Sequence, residues 1–296
     1  MILLGHLSDP HLGPLPSARM RDLAGKRAIG FVNWHRRRKT IHRGEVLSRI
    51  VSDLKAQSPD HIAVTGDILN IALPGEFAPS RVWLDTVGPA HDVTFVPGNH
   101  DAYVGKAARQ WHSHWGDFMR GDTTGPDQFP FVRRRGDIAL IGLSSAITTA
   151  PFMATGKIGT PQLHALPDIL DHLREQGLFR VVLIHHPPIT KPSHRFKRLL
   201  DADKFRTVLA RHGAELVLHG HDHIHSVVWL DGPSGKIPAA GVPSASAAGG
   251  EGDPAAYNLY AIGKSGNGWG CEAVTRGFRH GSDTIEELAR RELAPT

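Results

Sequence analysis

The chain has 296 residues, 40% of them hydrophobic and 21% charged, with a net charge of +5 and a pI near 9.5. No apolar run approaches the ~18 residues of a membrane span, and "MILLGHLSDPH" is too short and lacks the basic start of a signal peptide. The single cysteine, Cys271, excludes an intramolecular disulfide and fits a reducing compartment, so a cytoplasmic location is expected, while the positive charge favours an anionic partner.

Short apolar runs alternate with longer amphipathic ones along the chain. Strands are expected at Ile2–Ser8, His61–Thr65, Asp92–Val96, Ile138–Ser144 and Arg180–Ile184, then at Glu215–Leu218, Ser226–Leu230, Tyr257–Ile262 and Trp269–Val274. Helices are expected at Gly44–Gln57, Ser80–Val87, Lys106–Met119, Thr160–Glu175 and Ala202–His212. In the first of these, Val46, Ile50 and Leu54 recur at helical spacing. A last helix is expected at Asp283–Leu293, opened by the capping-box pair Asp283 and Glu286. "GVPSASAAGGEGDP", Gly241–Pro254, reads as a small-residue loop. Strand–helix alternation followed by a run of strands implies α/β layers around a sheet core.

Five segments share one design, an apolar strand with polar residues at its end. They are "LSDPH" with Asp9 and His11, "VTGD" with Asp67, "VPGNHD" with Asn99, His100 and Asp101, "LIHHPP" with His185 and His186, and "LHGHDH" with His221 and His223. Asp9 and His11 are two residues apart, so an extended backbone would point both the same way; His221 and His223 repeat the spacing. Gly66, Gly98 and Gly220 precede polar residues, where the missing side chain allows close backbone approach. Singly, each pattern is an ordinary turn or a histidine tract. In order, all at strand ends, they describe a site. Carboxylates, imidazoles and an amide oxygen suit manganese, iron, zinc or cobalt. Asp9, His11, Asp67, Asn99, His185, His221 and His223 are too many ligands for one tetrahedral ion and fit a pair that shares a carboxylate.

The order D-x-H, G-D, G-N-H-D, His and G-H-x-H resembles the calcineurin-like metallophosphoesterases, and every position of that pattern is filled between residues 9 and 223. The resemblance implies a four-layer α/β/β/α sandwich. The domain is expected over residues 1–275, with a basic insertion at about 13–43 and a C-terminal helical appendage at 276–296. It implies two metal ions, manganese or iron first and zinc or cobalt as alternatives. One ion takes Asp9, His11, Asp67 and His223, the other Asp67, Asn99, His185 and His221, with His185 preferred to His186. His100 is then the catalytic histidine facing the substrate phosphate, and Asp101 the carboxylate that holds its imidazole. The reaction implied is in-line attack of a metal-bound hydroxide on a phosphodiester or pyrophosphate.

Three stretches leave strand ends near the expected metals and read as the rim of a substrate pocket. The insertion carries Arg36, Arg37 and Arg38 among Leu23, Ile29, Phe31, Val32 and Trp34, a basic and apolar mixture suited to an anionic membrane or a large anionic substrate. The others are "KPSHRFKR", Lys191–Arg198, and the group Trp111, His112, His114 and Trp115. Candidate substrate contacts are His186, Arg36, Arg37, His194 and Arg195. An amphipathic substrate of the UDP-diacylglucosamine type is expected, with peripheral contact to an anionic membrane. The alternatives are a phosphodiesterase for soluble esters or cyclic nucleotides, a nuclease, and a non-catalytic scaffold. The long first loop argues against cyclic nucleotides. A scaffold would be expected to have lost ligands.

Overall fold

The structure, a computed structural model, describes residues 1–123, 129–189, 194–249, 252–266 and 268–293. Its first sheet runs in the order β12-β11-β10-β1-β2-β3, from Ile285–Glu292, Gly268–Phe278 and Ala256–Ser265 through Ile2–Leu7 and His61–Val64 to Val93–Phe95. The second runs β4-β5-β6-β7-β9-β8, from Phe131–Arg135, Ile138–Gly142, Phe179–Leu183 and Leu216–His219 to Gly235–Gly241 and Ser226–Gly232. Strands β1, β2 and β3 are parallel, as are β5, β6, β7 and β9.

Alternate residues of each strand serve different layers, because successive side chains leave opposite faces of a sheet. In β6, Val181 and Leu183 enter the core shared with the first sheet, whereas Val182 joins the outer core. That outer core is closed by Leu166, Leu170 and Leu173 of helix α6 (Thr160–Glu175) and by Phe205 and Leu209 of α7 (Ala202–His212). Helices α3 (Gly44–Ala56) and α4 (Pro74–Val87) pack Ile50, Leu54, Phe77 and Leu84 into the core of the first sheet. The result is the expected four-layer sandwich.

The basic insertion is built from a 3₁₀ turn (Met20–Leu23), α1 (Lys26–Asn33), a π-helical turn (Trp34–Arg38) and α2 (Lys39–Ile41). It is pinned at both ends. Lys26 donates to Thr149 Oγ1 at 2.7 Å, and Arg27 Nε donates to the Ile71 carbonyl at 3.2 Å. At the far end the Arg43 amide meets the Ser246 carbonyl and the Ala248 amide meets the Ile41 carbonyl.

Two expected helices are corrected. Residues 285–292 form β12, antiparallel to β11 at the sheet edge. The helix-forming composition and capping box of this segment lose to a vacant ladder on β11, and the Leu293 side chain is buried beyond it. The edge is studded with charge, including Arg290 paired with Glu272 and Glu287, which discourages pairing with another chain. The stretch Lys106–Met119 is a 3₁₀ turn, the short α5 (Trp111–Trp115) and a second 3₁₀ turn. Trp111 and Trp115 are core residues and not pocket rim: Trp115 is wholly buried against Phe77, and its indole N–H donates to Ser80.

Candidate metal centre

All the candidate ligands sit just beyond the carboxyl ends of parallel strands β1, β2, β3, β6 and β7, where two parallel sheets leave their loops on the same side. Asp9, His11, Asp67, His221 and His223 all have φ between 40° and 72°. These are left-handed conformations that non-glycine residues adopt rarely and that cluster at functional sites. The pairs Asp9/His11 and His221/His223 therefore converge through tight turns and not through the alternation of an extended strand. Glycines make room: a Cβ on Gly98 would lie 2.2 Å from Asp67 Oδ1, and one on Gly220 would lie 2.4 Å from Asp9 Oδ2.

Backbone donors aim the two carboxylates. The His221 amide holds Asp9 Oδ2 at 3.0 Å, which leaves Oδ1 facing His223 Nε2 at 3.1 Å and His11 Nε2 at 3.9 Å. The His100 amide holds Asp67 Oδ1 at 2.7 Å, so Oδ2 faces His185 Nε2 at 3.3 Å on one side and His11 Nε2 at 3.9 Å on the other. Asp67 thus stands between the two halves of the centre. His185 Nε2 also meets Asn99 Oδ1 and His221 Nδ1, each at 3.3 Å.

The imidazoles fit a metal because carbonyl oxygens fix their tautomers. His11 Nδ1–H donates to Leu69 O at 3.1 Å, His185 Nδ1–H to Thr65 O at 2.6 Å, and His221 Nε2–H to Lys197 O at 2.9 Å. A carbonyl only accepts, so in the neutral ring the other nitrogen of each keeps its lone pair and is the atom a metal could use. His186 differs in its partners: its Nε2 donates to Ala154 O at 3.2 Å and its Nδ1 meets Ser145 Oγ at 2.8 Å, so both ring nitrogens are engaged, although one lies within 4.8 Å of ligand atoms of His185 and His221. Asp9, His11 and His185 are wholly buried, as is His186 behind them.

Several expected roles are corrected. Asp101 does not hold His100. Its carboxylate accepts the amides of Asp67 (2.8 Å), Leu69 (3.0 Å) and Gly98 (2.8 Å), tying two metal-bearing loops together, and burial beside Asp67 raises its pKa well above the carboxylate range. His100 Nδ1 donates instead to the Asn70 carbonyl. Arg36 and Arg37 face solvent. It is Arg38 that enters the centre, with Nη1 2.9 Å from His100 Nε2 and Nη2 2.9 Å from His11 Nε2. His42, buried and adjacent to His11 and His223, was also missed. The signal lay in the spacing, since Trp34, Arg38 and His42 recur every four residues and the buried Trp34 fixes which face turns inward. His194 stands 3.8 Å from Asp222, and Arg195 lies over Phe196 at the rim; Lys191–Ser193 lie outside the described residues.

In the metal-free protein, burial alone would lower the pKa of His185, but Asp67 and then Asp9 outweigh it and push it up to about 10. That value lies above the ordinary 6.5, so the protonated ring stabilises the metal-free fold fully below about 6.5, and the contribution fades as pH rises through about 10. A ligand must be unprotonated. Metal uptake at pH 8 is therefore expected to expel about one proton from this site, and affinity should climb with pH. An indicator dye in weakly buffered solution reads the release directly.

A buried, two-sided set of carboxylates and imidazoles at the open end of a two-sheet sandwich fits a metal-dependent hydrolase with room for two ions. Residues 2–225 match the calcineurin-like phosphoesterases, and the chain belongs to that family as a metal-dependent phosphoric ester hydrolase. Among solved structures, a dimetal phosphatase from Danio rerio is 12% identical with a TM-score of 0.68, the match covering 100% of this chain and 99% of that one. A purple acid phosphatase from yellow lupin (Lupinus luteus) seeds is 10% identical with a TM-score of 0.61, over 97% of this chain and 52% of that one. A sulfate thiohydrolase from Thermus thermophilus is 16% identical with a TM-score of 0.50, over 99% and 56%. At such identities the likeness is one of fold, and the fold serves more than one chemistry. No curated protein sequence matches the chain. Among the described residues, no helix is long and apolar enough to cross a membrane.

Proposed function

We propose that the protein hydrolyses a phosphodiester or pyrophosphate in an amphipathic substrate of the UDP-diacylglucosamine type, using two ions of manganese or iron, with zinc or cobalt as substitutes. The observation that carries the two-ion reading is Asp67, whose Oδ2 faces His185 at 3.3 Å and His11 at 3.9 Å. Asp9, His11, Asp67 and His223 would hold one ion, and Asp67, Asn99, His185 and His221 the other. When bound, such a pair lowers the pKa of a water toward neutrality and offsets charge on the attacking and leaving oxygens.

The remaining work falls to the chain. Arg38 and His100 adjoin at 2.9 Å on the open side of the centre, where the guanidinium is placed to grip a phosphate oxygen. Burial and then Arg38 hold the pKa of His100 down to about 3. A phosphate seated on Arg38 offsets that repulsion and favours a proton on Nε2, the atom that would protonate the leaving oxygen.

The amphipathic reading is supported by the rim. Lys26 bonds the Met153 carbonyl, and the Ala154 amide bonds the Phe196 carbonyl, so the insertion, the 149–156 loop and the 194–200 loop form one continuous edge. Phe152 (83% exposed), Phe196 (51%) and Leu200 (48%) project from it, beside a depression of about 350 Å³ lined by Met153, Thr155, Arg195 and Arg198. Exposed Ile29, Val32 and Met20 continue the apolar edge on the insertion. Apolar and basic side chains interleaved around a phosphate site suit a lipid-linked anion at a membrane surface.

Two measurements test this. In mixed micelles, kcat/KM for a lipid-linked pyrophosphate should exceed that for bis-p-nitrophenyl phosphate by about 100-fold, through binding of the apolar part; equal values would remove the amphipathic substrate. The R36Q/R37Q double variant should bind vesicles of anionic phosphatidylglycerol roughly 30-fold more weakly, at about 1 kcal/mol per basic residue. Its hydrolysis of the soluble ester should not change.

A further inference from the structure

Besides Arg38, the insertion brings to the centre a histidine that the two-ion scheme does not use. His42 is 5% exposed, and its ring lies 4.5 Å from that of His11 and 5.7 Å from that of His223, centroid to centroid. One ring nitrogen from each of the three histidines lies within 4.8 Å of the others. This spacing allows the three imidazoles to share an ion.

The tautomer of His42 can be read from its neighbours. Ser244 Oγ donates its only proton to the Asp9 carbonyl at 2.6 Å, so its 3.3 Å contact with His42 Nδ1 can only be accepted from the ring. Ser246 Oγ lies 2.9 Å from the same nitrogen. Nδ1 then carries the proton and donates to these hydroxyl oxygens, which leaves the lone pair on Nε2. Trp34 lies parallel to the ring at 6.5 Å and 6°, and the His42 amide bonds the Arg38 carbonyl at 2.8 Å, so both face and backbone are held. An imidazole oriented by a hydroxyl on one nitrogen, with the other kept free beside two candidate ligand imidazoles, is the arrangement that hydrogen-bonding partners give to metal ligands.

We propose that His42 is a fifth protein ligand to the ion held by Asp9, His11, Asp67 and His223. This rests on the two-ion reading and deepens it. The first position then offers three imidazoles and two carboxylates, against two imidazoles, an amide and a carboxylate at the second. The nitrogen-rich position selects a borderline transition ion late in the divalent affinity order, and the second tolerates a harder one. The insertion thereby sets metal selectivity as well as covering the site.

The test uses Co²⁺ alone as the probe, titrated into metal-free full-length protein and followed by visible absorption and by metal content per chain. Wild type should take up two ions. In H42Q one of the two affinities should fall by about 10- to 100-fold or more, with a changed absorption band, while the other stays put. S246A, which keeps the imidazole and removes a hydroxyl that orients it, should show a smaller loss in the same direction and serves if H42Q fails to fold. Two ions bound by folded H42Q with wild-type affinity and spectrum would overturn the proposal and leave the two-ion reading intact; so would an unaltered S246A if H42Q cannot be folded. Fewer than two ions on wild type would defeat both.

Discussion

Replacing Asp67 by Asn is expected to lower turnover by about 1,000-fold or more, equivalent to about 4 kcal/mol of transition-state stabilisation. Asp67 faces both halves of the centre through one oxygen, while its other oxygen is taken by the His100 amide. An amide in its place keeps the shape and removes the charge. Burial opposes ionisation of Asp67, but His185 and then His100 outweigh it and hold the carboxyl ionised, far below the ordinary range. Without that charge, His185 loses the main reason for its raised pKa, so the proton release on metal uptake should shrink in parallel. Steady-state hydrolysis of bis-p-nitrophenyl phosphate with Mn²⁺, together with metal content per chain, checks the expectation. Full turnover with two ions retained in D67N would contradict the placement of Asp67 between the ions.

The second large effect concerns His100. His100→Asn should reduce kcat by about 100- to 1,000-fold, the usual range for a positioned proton donor. Metal content should remain at two, because His100 Nδ1 is engaged by the Asn70 carbonyl and Nε2 by Arg38. The loss should depend on the leaving group. A p-nitrophenolate leaves without help and should suffer least; an alkoxide needs the proton and should suffer most. A metal content that falls with the substitution would instead make His100 a ligand, since its ring nitrogen also lies within 4.8 Å of ligand atoms of His11 and Asp67. The contrast with D67N separates charge that holds ions from a proton that leaves with product.

Arg38 joins His100 to the His11 side of the centre. It neighbours both His11 and His100 at 2.9 Å and comes from the insertion, not from a strand end. Its partners on the sandwich are fixed by sheet geometry, whereas its own position depends on the anchors of Lys26 and Arg27 at one end and Arg43 and Ala248 at the other. The insertion therefore reaches the candidate metal centre even though Arg36 and Arg37 of the same run face water.

Asp9, His11, Asp67, Asn99, His185, His221 and His223 were legible in the sequence because each follows a short apolar strand and because residue type alone sets donor chemistry. The alternation of strands and helices likewise announced the layers. Other features were decided only by contacts between distant segments. The stretch 283–293 has helical composition and a capping box, but β11 offers unpaired backbone at the sheet edge, and a ladder there outweighs local propensity. Asp101 looked like a partner for its neighbour His100, but the left-handed turn at Asp67 brings two amides to its carboxylate and Gly98 adds a third. His186 and His185 are adjacent in sequence, and only the tertiary partners distinguish them: His185 faces Asp67 and Asn99, whereas His186 meets Ser145 and Ala154. The sequence by itself determined which donor atoms are available and at which strand ends. The tertiary structure decided which of them face each other, because orientation is set by hydrogen-bond partners dozens to hundreds of residues away.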